Sequence, residues 1–486
     1  MTTAPSRSHA PTPASAPVFR SVLDMIGNTP MLELQRLETG PCRLFGKLEL
    51  LNPAGSIKDR IGLTMIVAAE ADGRLDPSGE PKPTIVEATA GNTGIGLALV
   101  AAQRGYALKV VMPDKMSQEK IMHLRAMGAQ VVLTRSDVVK GHPDYYHEVA
   151  KRLADDTPNA IYISQFDNPA NPDAHQAGTG PEIWEQVLAA TGRPVDAVVL
   201  GVGTGGTATG CARFFAAQER DVKVILADPA GSILHPLINE GRHVEPGSWL
   251  VEGMGEDFVP DNCTIEAFDE AIPVTDAEAF HAARELLARE GLLAGSSTGC
   301  LIHAALTWCR RQSPRAGGEP LNVVTLICDS GAKYLSKCFN DYWMIDNGFI
   351  ERESHHNLRD LIARRHALKE DYTSSPDEPL KQCFKSMQLN AVSQMAVLEK
   401  STDRVVGIID ESDILLAVTH DPSAFERPVS DFMTSRLETI HPEASVNDLM
   451  PIFRADRVAI VAGEGGEYYG LITKSDLINY LRRQLP

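Results

Sequence analysis

Short apolar runs rich in β-branched residues alternate with amphipathic stretches from about residue 20 to residue 350, and this rhythm constrains the fold most. Examples are TIVEAT before NTGIGLALVAAQRG, KVVMP before SQEKIMHLRAMG, and DAVVLGV before GGTATGCARFFAAQ. Such alternation predicts an α/β fold, with βα units around a parallel sheet whose short strands are buried on both faces. Because ligands bind beyond the carboxyl ends of such strands, we expect the functional residues at the strand-to-helix turns.

The charge balance and the cysteine pattern exclude several classes of function. The chain has 64 acidic and 46 basic residues, a formal net charge of -18 and no long Lys/Arg run, so no nucleic-acid or membrane partner is expected. No stretch reaches the about eighteen apolar residues of a membrane span. The eight cysteines form no CxxC pair and no metal-ligand spacing. We therefore expect reduced thiols, a cytoplasmic protein and no bound metal.

The 486 residues exceed what one hydrophobic core usually serves, and we predict four segments. Residues 1–18, rich in Pro, Ala and Ser, are expected to form a disordered tail. Residues 19–350 form the α/β domain. Residues 351–372 are highly charged and are expected to form a solvent-exposed linker helix. Residues 373–486 form a separate C-terminal domain.

An internal repeat indicates how the C-terminal domain is built. GIIDESDIL from Gly407 and GLITKSDL from Gly470 place a glycine, apolar residues and a Ser-Asp pair at identical offsets. Each copy follows a helical stretch and a β-branched strand, which gives an αββα unit too small to bury its apolar face alone. The two copies are therefore expected to stack on each other.

A glycine-rich turn after the strand DAVVL predicts a phosphate site. Its residues are Gly203, Thr204, Gly205, Gly206 and Thr207. Backbone N–H groups of glycines can close around a phosphate, the following helix adds positive potential, and two hydroxyls can donate hydrogen bonds. The turn also fits GxGxxG from Gly201, and Asp228 follows the next strand. A dinucleotide-binding protein whose C-terminal module senses adenylates is therefore an alternative.

Lys58 lies in the segment NPAGSIKDR, directly before the apolar stretch IGLTMIVAAE. The other motifs are, in chain order, IGNTPML from Ile26, TAGNTG from Thr89, GTGGT from Gly203, and Asp329-Ser330. From about Val18 to Phe349 the chain resembles the fold-type II pyridoxal-phosphate family, in particular its cystathionine β-synthase and cysteine synthase members. The resemblance implies two open α/β subdomains, as in the tryptophan synthase β chain, and pyridoxal 5′-phosphate as the cofactor.

The resemblance also implies roles for single residues. Lys58 would hold the cofactor as a Schiff base and move the substrate's α-proton, which a desolvated amine can do because its pKa is lowered. The turn from Gly203 to Thr207 would bind the cofactor phosphate, and Asn92 would bind the ring 3′-oxygen. Ser330 would face the pyridine nitrogen, where a hydroxyl favours β-replacement over transamination. The expected substrate-binding residues are Thr89, Gly91, Thr93, Gln165 and Asp257.

Two stretches bear on the substrates. EGMGEDFVP, which contains Asp257, resembles the EGxGxDF stretch of cystathionine β-synthases, whereas SQFDNPANPDAH is closer to cysteine synthases. We predict β-replacement on L-serine or O-acetylserine by L-homocysteine to give L-cystathionine, with hydrogen sulfide production compatible with the same chemistry. A cysteine synthase that uses sulfide is the alternative. No haem is expected, because the members that bind it need an N-terminal Cys and His pair, whereas His9 lies in the tail and Cys42 in the catalytic domain.

The C-terminal repeats resemble the tandem CBS domains of a Bateman module. The second copy keeps the pattern GxxTxxD, so the resemblance implies that Thr473 and Asp476 could bind the ribose of S-adenosylmethionine or an adenine nucleotide. The first copy has Asp410 in place of the threonine. A pair that only joins protomers is the alternative, and we expect a homodimer or a higher homo-oligomer.

Overall fold

The computed structural model describes residues 18–89, 91–114, 116–138, 141–218, 221–315 and 317–483. The chain divides between Asn340 and Asp341 into an N-terminal and a C-terminal compact unit. Within these ranges, no helix is long and apolar enough to cross a membrane. The predicted tail and His9 lie outside the described residues, apart from residue 18.

Two sheets form the centre of the N-terminal unit. Their strands are β1 (Met31–Glu33), β2 (Cys42–Lys47), β3 (Thr84–Ala88), β4 (Ala107–Pro113), β5 (Gln130–Thr134), β6 (Ala160–Tyr162), β7 (Ala197–Gly201), β8 (Lys223–Pro229), β9 (Glu270–Val274) and β10 (Leu321–Leu326). The larger sheet has the order β1-β2-β10-β7-β8-β9, and the smaller has the order β5-β4-β3-β6. Neighbouring strands are parallel, except that β1 is antiparallel to β2. The predicted fold class is confirmed.

Helices connect these strands and cover both faces of the sheets. They are α1 (Lys58–Ala71), α2 (Asn92–Arg104), α3 (Gln118–Ala126), α4 (Tyr146–Asp156), α5 (Ala170–Ala174), α6 (Gly180–Thr191), α7 (Gly206–Ala216), α8 (Leu234–Glu240), α9 (Asp276–Glu290) and α10 (Ser296–Arg310). On the smaller sheet, Ile85 and Val110 join the core beneath α1 and α2, whereas Val86 and Val111 pack against α4 on the other face. Burial on both faces explains why these strands are apolar throughout.

Helices α1 and α2 pack unusually closely, and this contact positions the predicted cofactor lysine. A Cβ at Gly62 would lie 2.6 Å from the carbonyl carbon of Gly96, and a Cβ at Gly96 would lie 2.6 Å from the carbonyl oxygen of Lys58. Only glycine allows the two backbones to approach so closely. The start of α1 therefore lies directly beside the start of α2, which carries Asn92.

The C-terminal unit contains two small sheets, one from each repeat. Its elements are α11 (Asp341–Asp346), β11 (Thr373–Ser374), α12 (Leu380–Asn390), β12 (Gln394–Leu398), β13 (Val405–Asp410), α13 (Glu411–His420), β14 (Thr439–Ile440), α14 (Leu449–Arg454), β15 (Ala459–Ala462), β16 (Tyr468–Ile472) and α15 (Lys474–Arg483). The sheets have the orders β11-β12-β13 and β14-β15-β16. Ala396 and Leu398 of one repeat share an apolar cluster with Ile460 and Tyr468 of the other. The predicted stacking of the two copies is confirmed.

The segment 351–372 is not the solvent-exposed helix that its charge predicted. It contains only short 3-10 turns, at Leu358–Leu361 and His366–Leu368. Leu358, Leu361 and Ile362 are buried in the core of the second repeat. The apolar residues in this charged stretch cover a face that the small repeat cannot bury alone, so the prediction of a linker helix was wrong.

Candidate active site

A cavity of about 490 Å³ lies at the carboxyl ends of the strands in the N-terminal unit. Of the predicted site residues, its lining includes Lys58, Thr89, Gly91, Asn92, Thr93, Gln165, Gly203, Thr204, Gly205, Thr207 and Asp257. These residues come from turns after several strands of both sheets, as expected for an α/β protein. Asp228, the ribose ligand of the dinucleotide alternative, is not on this wall; its carboxylate accepts a hydrogen bond from the backbone N–H of His235 at 2.8 Å.

Lys58 is the first residue of α1 and extends into the cavity. Desolvation lowers the pKa of its ammonium, and the nearby Cys328 and Asp329 oppose this shift more weakly. A lowered pKa leaves more of the amine unprotonated at neutral pH than for a lysine in water. The side chain can therefore act as a nucleophile and as a proton acceptor.

The loop Gly203–Thr207 forms a narrow cradle at the start of α7. Gly205 has φ +82°, and a Cβ there would lie 2.7 Å from Cys263 Cα. A Cβ at Gly206 would lie 2.0 Å from Asn171 Oδ1. Gly206 is not itself a lining residue, but α7 begins with no side-chain cap, so its first N–H groups remain available. Uncapped N–H groups, glycines and threonine hydroxyls are a donor set that fits a phosphate.

Asn92 is held by hydrogen bonds at both ends of its amide. Its Nδ2 donates to Asp329 Oδ2 at 2.7 Å, and its Oδ1 accepts from Lys333 Nζ at 3.0 Å. Lys333 is itself anchored by the carbonyl oxygens of Ala54 and Gly55. The amide of Asn92 therefore has a fixed orientation at the cavity wall.

The loop before α2 uses some of its own donors internally. Thr89 Oγ1 accepts from the backbone N–H of Gly91 at 3.1 Å, and the Thr93 hydroxyl donates to Gln165 Oε1. Gln165 Nε2 in turn donates to the carbonyl oxygen of Ala88 at 2.8 Å. Helix α2 has no side-chain cap, so the N–H groups of its first turn remain for an anion. Gln165 therefore links the Thr93 side chain to the backbone of Ala88.

Ser330 was predicted to face the pyridine nitrogen, which would require its side chain to face the cavity. Ser330 is not on the cavity wall, and its hydroxyl accepts from the backbone N–H of Ala332 at 3.3 Å, which caps a short helical turn. Ser297, near the start of α10, lines the cavity beside the apolar Leu301 and Leu326. Cys328, after β10, also lines the cavity, whereas Ser330 begins the 3-10 turn that follows. The segment GSST from Gly295 was the sequence signal for a hydroxyl here.

A buried ion-pair cluster in the cavity wall was also not predicted. Glu252 accepts from Lys120 Nζ at 2.7 Å and from Lys337 Nζ at 2.6 Å. The Lys120 ammonium also lies 4.4 Å from the ring centre of Tyr334. A Cβ at Gly91 would lie 2.6 Å from Lys120 Cδ, so the lysine stem packs against the loop before α2. A lone lysine in SQEK gives no sequence signal for this contact.

The remaining wall of the cavity is aromatic and acidic. It contains Tyr145, Tyr146, Phe166, Glu256 and Asp257. Burial raises the pKa of Tyr145, and the charges of Asp257 and Glu256 add to the effect. The two carboxylates therefore act near the Tyr145 ring, and the cavity lining also includes Arg135.

Glu87, on β3, is a buried carboxyl group next to the loop that carries Gln165. Its Oε1 accepts from the backbone N–H of Gln165 at 3.4 Å, while Oε2 has no hydrogen-bond partner among the described residues. Burial raises the pKa of Glu87 to about 8. The group is therefore largely protonated in the folded protein at neutral pH.

In the C-terminal unit, Thr473 and Asp476 are hydrogen-bonded to each other. The Thr473 N–H and hydroxyl both donate to Asp476 Oδ2 at 2.7 Å, and the Asp476 N–H donates to Thr473 Oγ1 at 3.2 Å. In the first repeat, Asp410 forms the equivalent capping box with Asp413. The pattern GxxTxxD thus caps helix α15, whatever else it binds.

Comparisons with known proteins give matches along most of the chain. The family model "Pyridoxal-phosphate dependent enzyme" matches residues 22–329, and the model "CBS domain" matches residues 365–420 and 429–483. A cystathionine β-synthase from Dictyostelium discoideum is 34% identical over 96% of this chain and 93% of its own length. A probable cysteine synthase from Bacillus subtilis is 39% identical over 67% of this chain and 98% of its own.

A solved structure is also similar to part of this chain. The crystal structure of a hydrogen sulfide-producing enzyme from Fusobacterium nucleatum matches with a TM-score of 0.59 and 36% sequence identity. The match covers 65% of this chain and 100% of that chain.

Proposed function

The chain belongs to the cystathionine β-synthase family of pyridoxal-phosphate-dependent enzymes, and from this premise we propose that it replaces the β-substituent of L-serine or O-acetylserine with L-homocysteine. The product would be L-cystathionine. The observation that carries the proposal is that one cavity combines Lys58, the loop Gly203–Thr207, Asn92 and the uncapped start of α2.

Bound pyridoxal 5′-phosphate supplies an electron sink for the bonds at the amino acid's α-carbon. Lys58 would hold the cofactor through its Nζ. Because the pKa of this amine is lowered, it can also take the α-proton and return it after the thiol has added. The loop Gly203–Thr207 would hold the phosphate, and the fixed amide of Asn92 would bind the ring hydroxyl oxygen.

We assign the pyridine nitrogen to Ser297 in place of Ser330. The apolar side chains Leu301 and Leu326 make this part of the wall suitable for an aromatic ring, and Ser297 supplies a hydroxyl among them. Ser297 lies in the first turn of α10, where the helix dipole disfavours an additional positive charge. An unprotonated ring nitrogen is a weaker electron sink, which suits loss of a β-substituent.

The substrate carboxylate would bind the first-turn N–H groups of α2, at the loop that carries Thr89, Gly91 and Thr93. Gln165 would act by holding Thr93, since both ends of its amide bond protein groups. This arrangement keeps a fixed anion site beside Lys58.

Homocysteine is proposed over sulfide because of the acidic wall. Glu256 and Asp257 line the cavity, and a carboxylate attracts an ammonium group but repels the hydrosulfide anion. Relatives named cystathionine β-synthase match both units of the chain, whereas the Bacillus subtilis cysteine synthase matches 67% of it. A cysteine synthase activity is the second candidate.

The purified protein should show the visible absorption of lysine-bound cofactor. We then propose incubating it with serine or O-acetylserine, each combined with homocysteine or sulfide, and identifying the products by mass spectrometry. Cystathionine as the main product supports the proposal. Cysteine with sulfide, and no cystathionine with homocysteine, would establish the second candidate instead.

For the C-terminal unit we propose a regulatory role, with residues 19–350 carrying the reaction. The CBS domain pair covers residues 365–420 and 429–483, and the resemblance of the repeats to a Bateman module implies an adenosyl ligand. The site would use Thr473 and Asp476 in the second repeat. We also propose that the protein is a homodimer. A cytoplasmic location is in keeping with the eight free cysteines.

A further inference from the structure

Behind the loop Gly203–Thr207 lies a layer of buried polar side chains that the proposed chemistry does not use. Asn171 and His175 lie four residues apart, where α5 continues into a π-helical turn. Both are 0% exposed. Helix α7 packs so closely on this segment that a Cβ at Gly210 would lie 2.2 Å from the carbonyl oxygen of Pro172. The glycine therefore brings both side chains within reach of the loop.

Each of these side chains is hydrogen-bonded to one threonine hydroxyl of the loop. Asn171 Nδ2 is 2.9 Å from Thr204 Oγ1, and His175 Nε2 is 3.2 Å from Thr207 Oγ1. Both threonines line the cavity. In the described part of the chain, neither hydroxyl has another hydrogen-bond partner. Each hydroxyl can therefore donate its proton to a ligand only if it accepts, and does not donate, in its hydrogen bond with Asn171 or His175.

The carbonyl group of Gln165 fixes the direction of the hydrogen bond between Asn171 and Thr204. Asn171 Nδ2 also donates to the carbonyl oxygen of Gln165 at 2.8 Å. A carbonyl oxygen can only accept, so the amide nitrogen of Asn171 must face it, and the second N–H of that nitrogen points at Thr204 Oγ1. The Thr204 hydroxyl accepts on its buried side, and its own proton is left for the cavity.

The buried hydroxyl of Thr179 fixes the direction of the hydrogen bond between His175 and Thr207. His175 Nδ1 lies 2.9 Å from Thr179 Oγ1, and Thr179 is also 0% exposed. The Thr179 hydroxyl has no other partner among the described residues, and a buried donor without an acceptor is costly. It therefore donates to Nδ1, so Nδ1 carries no proton.

The charge state of the imidazole completes the assignment. Desolvation, together with the charges of Lys58 and Arg60, holds the pKa of His175 well below its usual value. A neutral imidazole whose Nδ1 is an acceptor carries its proton on Nε2. Nε2–H then donates to Thr207 Oγ1, and Thr207, like Thr204, keeps its own proton for the cavity.

We propose that Asn171 and His175 are positioning residues that orient the hydroxyls of Thr204 and Thr207 as donors to the cofactor phosphate. The inference rests on the proposed function, since it requires pyridoxal 5′-phosphate in the cavity. Phosphate oxygens are acceptors, so hydroxyl protons already held toward them do not have to be ordered when the cofactor binds.

The test compares two aldehydes that can both react with Lys58. Cofactor-free protein is titrated with pyridoxal 5′-phosphate and with pyridoxal, which lacks the phosphate, and the ratio of the two Kd values isolates the phosphate contribution. Thr179→Val removes the hydroxyl that donates to His175 and keeps its shape, and it should reduce the preference for the phosphorylated aldehyde about three- to tenfold. Asn171→Asp, which turns an acceptor toward Thr204, should reduce it about ten- to a hundredfold.

Thr209→Val is the matched control in α7. It removes a buried hydroxyl that accepts from the backbone N–H of Thr264 at 2.9 Å, and it should leave the ratio unchanged. In the wild type, ¹⁵N NMR of His175 should show a protonated Nε2 and an unprotonated Nδ1, with and without cofactor. Equal weakening for both aldehydes in Thr179→Val, or a protonated Nδ1 in the wild type, would overturn the proposal. A wild-type protein that binds neither aldehyde would reject the proposed function itself, and this inference with it.

Discussion

Two helix starts in the N-terminal unit differ from two helix starts in the C-terminal unit. In the N-terminal unit, α2 and α7 each follow a glycine, have no side-chain cap, and begin at the cavity wall. In the C-terminal unit, Asp410 and Asp413 form a capping box at the start of α13. Thr473 and Asp476 bond each other in the same way at the start of α15.

These four starts illustrate two arrangements: an uncapped first turn at a cavity, where an anion can bind, and a first turn that the chain caps itself. An uncapped first turn offers N–H groups and positive potential to an anion, whereas a capping box satisfies them with a carboxylate of the protein. Helix α9 of the N-terminal unit also has a capping box, between Thr275 and Glu278. Most other helices of this unit, such as α3, α4 and α8, also begin without a side-chain cap, so α2 and α7 are distinguished by the position of their uncapped starts at the cavity wall.

Lys58→Ala tests most severely whether the chemistry belongs to the N-terminal unit. The variant should lose the visible absorption of bound cofactor, and β-replacement should fall by more than the about 10²- to 10⁴-fold that a proton-transfer group contributes. Absorption spectra and product formation measure both effects. Substantial activity in this variant would remove Lys58 from the reaction.

Glu87→Gln tests the buried carboxyl group of the N-terminal unit. The pKa of Glu87 is about 8 in the folded protein against an ordinary value of 4.5, so its contribution to stability is complete below about pH 4.5. As pH rises toward 8 the wild type should lose up to about 1.4 kcal/mol of unfolding free energy per pH unit, because the buried group resists ionisation. Urea unfolding at pH 5, 6.5 and 8 should show a weaker decline in the variant. Parallel declines would mean that Glu87 is ionised in the fold.

Ser297→Asp and Ser330→Ala separate the two candidates for the pyridine nitrogen. A carboxylate at position 297 would stabilise the protonated form of the pyridine nitrogen. We expect kcat to fall about tenfold or more, because a shift of one pKa unit corresponds to a tenfold change in an equilibrium or a rate. Ser330→Ala should leave kcat unchanged and cost about 1 kcal/mol of stability through loss of a cap. The reverse pattern in steady-state kinetics would restore Ser330 to the ring nitrogen.

Asp476→Ala and Asp410→Ala test whether one capped helix start in the C-terminal unit also binds a ligand. Each variant should lose about 0.5–2 kcal/mol through its cap. With millimolar S-adenosylmethionine or AMP, the wild type and Asp410→Ala should gain thermal stability, and Asp476→Ala should not. Basal activity should be unchanged in both variants. If no adenosyl ligand shifts the wild-type melting temperature, the pair has no such site.

Lys58 and Ser330 show how much of the candidate site could be predicted from the sequence. Lys58, Asn92 and the loop Gly203–Thr207 lie on the cavity wall, or at its edge for Gly206, and the sequence could single them out because each belongs to a short motif whose backbone shape is set by adjacent glycines. For the pyridine nitrogen the sequence suggested Ser330, whereas the cavity wall contains Ser297, because only the packing of α10 beside β10 decides which of the two serines faces the cavity. The prediction of a linker helix failed for a similar reason, since burial of Leu358 and Leu361 depends on the second repeat.

The sequence by itself therefore determined the α/β class and the repeated C-terminal unit, and it singled out Lys58 and the loop Gly203–Thr207 as candidates for the cofactor site. All of these are expressed as local patterns, in which consecutive residues fix a turn, a helix start or a strand. The tertiary structure alone decided the burial of Glu87, the pairing of Lys120 with Glu252, and the direction of the hydrogen bonds at Thr204 and Thr207. These depend on side chains far apart in the chain, because desolvation and hydrogen-bond direction arise only where packing brings such groups together.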